Sequence, residues 1–189
     1  GGEPLMNKDF HIISSEASKY NKFNKVVIYT NGTICPPDEK LKYLSNDKTF
    51  VFITTYGPLS KNAQKLADAC EKNKINYNKQ PAYGWTDSGK IKDFSRKESV
   101  NKALFKNCCA KHFATMTDGK IFRCPFSSNL ERLKALPESS SDFFDLRKIL
   151  KKERDLIKIK KDLMWFLREK DNLIACNFCN GRSYGQKEI

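Results

Sequence analysis

The sequence contains no apolar run approaching the ~20 residues needed to span a bilayer, so no membrane-spanning helix is expected. It opens with Gly1–Gly2–Glu3–Pro4, which is neither basic nor followed by a long apolar stretch. No secretory signal is therefore expected, and the cytosol is the expected compartment. There is no internal repeat and no low-complexity segment. Histidine occurs only at positions 11 and 112, and both are read as solvent-facing or locally hydrogen-bonded; His112, close to Cys108, is a weak alternative ligand. Acidic residues are scarce relative to basic ones: 22 Asp and Glu against 35 Lys and Arg leave a formal charge of +13. Such a balance raises a nucleic-acid or acidic partner. The lysines, however, are scattered among Asn and Glu, and no basic block is interleaved with aromatics as a stacking platform requires. Nucleic acid is accordingly disfavoured.

What is present fits a folded protein. A chain of 189 residues can bury one core, or one core and a small satellite. Met6–Tyr20 reads as a helix with Phe10, Ile13, Ala17 and Tyr20 on one face. Lys25–Tyr29 and Thr49–Ile53 are short apolar, β-branched or aromatic runs, the pattern of buried parallel strands. The first run leads into the turn signal Thr30–Asn31–Gly32–Thr33, and Pro36–Pro37–Asp38 can start a helix bearing Leu41 and Leu44. Ser60 is expected to cap a helix through Asn73 with the stripe Ala63, Leu66, Ala67 and Cys70, and Ile75–Tyr77 starts a third strand. Strands alternating with helices predict an α/β fold with a parallel sheet. Three strands cannot close an eight-stranded barrel, so an open, partial or truncated one is implied. Residues 81–98 read as a linker or substrate-side loop. The expected domains are 1–98 and 99–189. In the second, Asp118–Gly119 marks a hairpin turn, Asp142 to about Lys170 reads as helical with a break near Lys151–Lys152, and the tail from Ala175 is loop.

Seven cysteines without a secretion signal point to metal or redox chemistry rather than disulfides, and five of them follow residue 107. Cys176–Asn177–Phe178–Cys179 is a C-x-x-C, a spacing that lets two thiolates converge on one metal or cluster. Upstream stands Cys108 or its rival Cys109, then Asp118–Gly119, then Cys124. A hairpin at Gly119 would bring Cys124 beside the upstream cysteine, and the later helix would return Cys176 and Cys179 to complete a four-thiolate cage. Four soft ligands suit iron–sulfur or zinc equally on spacing alone. The alternatives are a closed zinc site that staples a basic binding module without catalysis, and a redox dithiol at Cys176 and Cys179. Cys70 reads as a core residue on its helix face and Cys35 as a structural residue.

Gly1–Gly2–Glu3–Pro4 has a physical logic of its own: glycines leave backbone groups open to a ligand, and a carboxylate can pair with an ammonium. Together with Thr30–Asn31–Gly32, Thr54–Thr55–Tyr56–Gly57–Pro58–Leu59–Ser60–Lys61 and Tyr83–Gly84–Trp85–Thr86–Asp87–Ser88–Gly89, it resembles the radical S-adenosylmethionine (SAM) superfamily over nearly the whole chain. The resemblance implies that Gly1–Pro4 ends a barrel strand and holds the SAM amino group, with Glu3 on the ammonium and Thr30 and Asn31 on the SAM or substrate rim. It also implies a C-terminal auxiliary domain of the twitch or SPASM type, whose signature of cysteine, spacer, glycine, four residues and cysteine is met by Cys108 (or Cys109), Gly119 and Cys124. Cys176 and Cys179 supply the later pair. The implied fold is a partial (β/α) barrel lacking its N-terminal strands, followed by a small α+β cysteine-ligated auxiliary domain with a β-hairpin and a long helix. The implied cofactors are one auxiliary [4Fe-4S] cluster and SAM, with zinc as the alternative metal.

The family's Cys-x-x-x-Cys-x-x-Cys loop, which carries the radical-generating [4Fe-4S] cluster, has no counterpart in these residues. The chain is therefore expected to be a fragment, inactive alone, whose partners are a missing N-terminal segment or a reductase. With that segment supplied, the resemblance implies an oxidoreductase-type enzyme that modifies an unidentified peptide, sugar or nucleotide through a 5′-deoxyadenosyl radical.

Overall fold

The computed structural model describes residues 2–84, 91–136 and 142–181. Gly1, the Trp85–Gly89 part of the third resemblance string and the tail beyond 181 lie outside the described residues. The protein is mixed α/β, with two three-stranded sheets and no closed barrel among the described residues. It divides into two compact units between residues 83 and 84. That boundary falls before the expected 98/99. Residues 93–96 are hydrogen-bonded to the C-x-x-C segment, and this assigns the expected linker to the second unit.

In the first unit β1 (Val26–Thr30), β2 (Thr49–Thr55) and β3 (Asn76–Pro81) form a parallel sheet in sequence order. Helix α1 (Phe10–Ser18) precedes β1, α2 (Asp38–Leu41) lies between β1 and β2, and α3 (Ala63–Lys72) lies between β2 and β3. Strand alternation sends Ile28, Val51 and Ile53 to one face. There they meet Phe10, Leu41, Leu44, Leu66, Ala67 and Cys70 from the helical layer. The other face is open: Val27 and Tyr29 are 42% and 65% exposed, and Tyr29 stacks obliquely on Phe52 at 5.2 Å between centroids. A parallel sheet is ordinarily covered on both faces; here the core draws on one.

Two expectations are corrected in this unit. Along α1 the inward line runs through Phe10 and Ser14, one turn apart, while Ile13 and Tyr20 are 56% and 64% exposed. Helix α3 begins at Ala63 behind Asn62, so Ser60 is not its cap. The Ser60 hydroxyl is committed elsewhere: it donates to the Asn31 carbonyl at 2.5 Å and accepts from the Tyr56 N–H at 2.8 Å.

In the second unit β4 (Thr115–Thr117) and β5 (Lys120–Phe122) form the expected antiparallel hairpin. Asp118 and Gly119 both have positive φ, 49° and 72°, as a two-residue primed turn demands. Helix α4 (Glu98–Asn107) precedes the hairpin and α5 (Pro125–Arg132) follows it. The expected helix from Asp142 is corrected: Phe143–Asp145 is a third strand, β6, with Phe144 opposite Ile121. Two adjacent phenylalanines favour a half-buried strand over a helix start. Helix follows only where a cap is available. The Asp145 carboxylate accepts the Lys148 N–H to begin α6 (Leu146–Lys152), and the Asp155 carboxylate accepts those of Ile157 and Lys158 to begin α7 (Leu156–Arg168). One small core gathers Phe105, Leu130, Leu173 and Ala175; another gathers Phe144, Ile159 and Phe166. Among the described residues no helix is long and apolar enough to cross a membrane.

Gly32 joins the first unit's sheet to its helices. Its φ is +69°, and a Cβ there would lie 2.8 Å from Ala63 Cβ and 3.3 Å from Ile53 Cγ2. Left-handed strain and the clash each cost on the order of 1–2 kcal/mol or more. Gly32→Ala is expected to lower stability by about 2–4 kcal/mol, read as a shift in the urea midpoint of the first unit; an unchanged midpoint would show that the α3 start gives way freely.

Candidate functional site

Four cysteines are delivered to one place by three chain segments. Cys108 ends α4, and Cys124 immediately precedes α5 at the exit of the hairpin. Cys176 sits in the 3-10 turn Ile174–Phe178, and Cys179 follows that turn. Together with Leu104, Phe105, Phe126, Leu173, Ala175 and Gly181 they line a single apolar cavity. The set Cys108, Cys124, Cys176 and Cys179 is thus brought together. Cys109 is not among the residues that line this cavity and starts the turn Cys109–His112. His112 lines a different cavity.

Backbone N–H groups point at each of the four sulfurs. Ala110 N lies 3.4 Å from Cys108 Sγ. Ser127 and Phe126 donate toward Cys124, Leu173 toward Cys176, and Gly181 toward Cys179. These donors favour the thiolate, but burial opposes it and prevails. Burial pushes the Cys176 thiol up to about 12 and raises those of Cys124 and Cys179. Burial thus favours the protonated thiol at Cys124, Cys176 and Cys179, and a positively charged partner would offset that cost. Among the described residues no three His, Cys, Asp or Glu side chains stand close enough together to hold a single metal ion.

Two residues outside the sequence-predicted set fix the C-x-x-C. Arg96 donates through one guanidinium nitrogen to the Cys176 carbonyl at 3.0 Å and the Cys179 carbonyl at 2.6 Å. Its backbone N–H reaches the Asn177 side-chain oxygen at 2.8 Å, and its guanidinium stacks on Phe94 at 4.0 Å. Asp142 has no exposed surface. Its carboxylate accepts the N–H groups of Ile174 at 2.8 Å and Ala175 at 2.7 Å, and the Ser127 hydroxyl at 3.4 Å. Lys170 Nζ lies 3.7 Å away. An Arg and an Asp in loop sequence carry no spacing rule, so only the fold reveals them.

In the first unit the structure brings Glu3 to the carboxyl end of β1. The Glu3 carboxylate accepts the Asn31 N–H at 2.8 Å and the Leu5 N–H at 3.0 Å. Thr30 is buried, and its hydroxyl accepts the Gly32 N–H at 3.2 Å. The Asn31 side-chain oxygen accepts the Thr33 N–H and hydroxyl at 3.0 and 2.7 Å. Pro4 opens a 3-10 turn through Met6. Gly2 faces open space, since a Cβ there would meet nothing within 4 Å. Thr30, Asn31 and the Ser60 loop thus form one hydrogen-bonded rim where the strands end, with Glu3 attached to it. A carboxylate that accepts one N–H on each oxygen retains lone pairs for a cation. No family model, curated protein or solved structure matches the chain.

Removing the Asp142 carboxylate would strand two buried N–H groups and the Ser127 hydroxyl, a loss of several hydrogen bonds to a charged group. Asp142→Ala is expected to cost about 3–5 kcal/mol and to make the C-x-x-C accessible. Faster thiol labelling with intact first-unit unfolding would show this; unaltered labelling kinetics would contradict it. The cysteine titration gives a second expectation. A thiol raised on folding contributes stability that is whole below its unfolded value near 9.0 and is lost as pH climbs toward about 12. Cys70 in the first unit behaves alike, also pushed up to about 12 by burial. Metal-free, reduced protein is expected to lose stability from about pH 9 upward, with Cys176→Ala and Cys70→Ala each flattening part of the slope in urea unfolding.

Proposed function

We propose that the second unit is a thiolate-ligated [4Fe-4S] domain and that the chain belongs to a radical SAM-type enzyme. The observation that carries this reading is the convergence of Cys108, Cys124, Cys176 and Cys179 on one apolar cavity, each with an N–H donor at its sulfur. The donor set fits the group: iron–sulfur clusters take four cysteine thiolates, and N–H···S bonds and burial tune their potential. A lone zinc would draw four sulfurs to about 3.8 Å from one another. A four-iron cluster takes one thiolate per iron and spreads its ligands, which suits cysteines of which, among the described residues, no three stand close enough to hold one ion.

The first unit supports the SAM half of the reading in two ways. Its helices cover one face of a parallel sheet and leave the other open, as the wall of a barrel would. Its polar rim lies at the carboxyl ends of the strands, where parallel sheets present their ligand sites. Glu3 would hold an ammonium, anchored by Asn31, with open space at Gly2 for the ligand's approach. When bound beside the radical-generating cluster that the resemblance assigns to a loop absent from this sequence, SAM supplies radical chemistry. The residues of this chain bind and orient it. The auxiliary cluster, fully ligated by thiolates, would serve electron transfer or structure, and a reducing cytosolic setting would keep the thiols available.

The test is anaerobic reconstitution of the full chain with iron and sulfide. A brown protein with about four irons and four sulfides per chain is expected, bleached in Cys124→Ala and retained in Cys109→Ala. A colourless protein that takes up one zinc per chain and no iron would refute the cluster.

A further inference from the structure

Beside the cysteine cavity, and sharing Phe105 with it, lies a second and larger cavity of about 730 Å³. Its size falls among those of small-molecule sites, about 300–1,000 Å³. Its wall is strongly cationic, and the cations are unevenly answered. Lys102 is neutralised by Asp171 and Glu98, each at 3.0 Å. Lys106, Lys111 and Arg168 have no carboxylate within ion-pair distance among the described residues. Arg123 is 6% exposed and also lacks one. It donates to the carbonyls of Lys170 at 2.6 Å, Lys111 at 3.0 Å and Phe166 at 3.3 Å, and lies over the Phe105 ring at 4.9 Å. Carbonyl dipoles satisfy its N–H groups while leaving its charge without a counter-ion. Phe113, 55% exposed at the same cavity, and Phe105 supply apolar and aromatic wall.

We infer that this cavity binds a small phosphate ester with an aromatic or apolar body, of nucleoside monophosphate size. Four cations without carboxylates favour a dianion over a neutral or cationic ligand. The aromatic wall favours a body that can pack, over a bare oxyanion. The concentration of charge in one cavity of small-molecule size favours a small ligand over a nucleic-acid strand, which needs a basic groove tracking its backbone. This assignment is independent of what the cysteines hold.

Calorimetric titration of the full chain with AMP at about 0.15 M salt is expected to show one site per chain. Lys106→Glu with Arg168→Glu, both at exposed positions, should weaken binding at least about tenfold. Lys160→Glu with Lys161→Glu, an equal charge change on exposed α7 positions outside the cavity, should leave it within about twofold. Adenosine and inorganic phosphate should each bind far more weakly than AMP. The inference is overturned if AMP does not bind, if the control pair weakens binding as much as the cavity pair, or if either half-ligand matches AMP. It is overturned also if a single-stranded oligonucleotide binds through Lys106 and Arg168 and AMP fails to displace it. Circular dichroism of both double variants checks that each remains folded.

Discussion

A carboxylate with no exposed surface must be answered by donors, and Asp142 is answered by the turn that carries Cys176. That demand organises the second unit. Asp142 immediately precedes β6, so the hairpin sheet and the C-x-x-C turn are tied through one side chain. Ser127 brings α5 to the same carboxylate, and α5 begins directly after Cys124. Arg96 adds a second tie to the C-x-x-C by holding two of its carbonyls. Three loops without helix or strand propensity of their own are thereby fixed around four sulfurs. A small unit with two modest cores needs such ties, because apolar burial alone is limited at this size.

The first unit meets a similar need with neutral groups. Ser60 Oγ, between the Asn31 carbonyl and the Tyr56 N–H, joins the loops that end β1 and β2, and Asn62 adds a bond to the Thr33 carbonyl at 2.7 Å. Gly32 allows α3 to approach within van der Waals contact of that loop. The rim is cross-tied by these hydrogen bonds, and Glu3 is attached to it rather than to its own segment alone.

The periodic features were legible in the sequence because burial writes itself into periodic positions. The first two strands of the first sheet follow apolar runs and the third begins just after Ile75, α3 follows the stripe of Ala63, Leu66, Ala67 and Cys70, and the hairpin follows Asp118–Gly119. The convergence of Cys108, Cys124, Cys176 and Cys179 on one cavity also could be read, since cysteine spacing is informative. What was not legible depended on contacts distant in sequence. Ser60 reads as a helix cap from its neighbours and becomes a loop tie because Asn31 is beside it in space. Asp142 and Phe143 read as the start of a long helix, and pairing of Phe144 with Ile121 overrides that local preference. Residues 93–96 read as linker because nothing in their composition announces that Arg96 clamps Cys176 and Cys179.

Charge links the two cavities of the second unit to the proposed reading. Four thiolates in an apolar enclosure are prohibitive without compensation, and the raised thiols of Cys124, Cys176 and Cys179 register that cost. In the proposed reading a metal core would return part of the charge; the N–H donors and the Arg96 guanidinium, which lowers the Cys179 thiol by attraction, would return more. In the neighbouring cavity the imbalance has the opposite sign, with Arg123 buried against carbonyl dipoles and three further cations without carboxylates. Phe105 belongs to both walls. A surplus of negative charge on one side of that ring and of positive charge on the other would stabilise each other through a region of low dielectric, where screening by water and salt is weakest. A negatively charged cluster in the cysteine cavity would then relieve part of the repulsion among the cations next to it, although the anion site is argued from its own lining and needs no cluster.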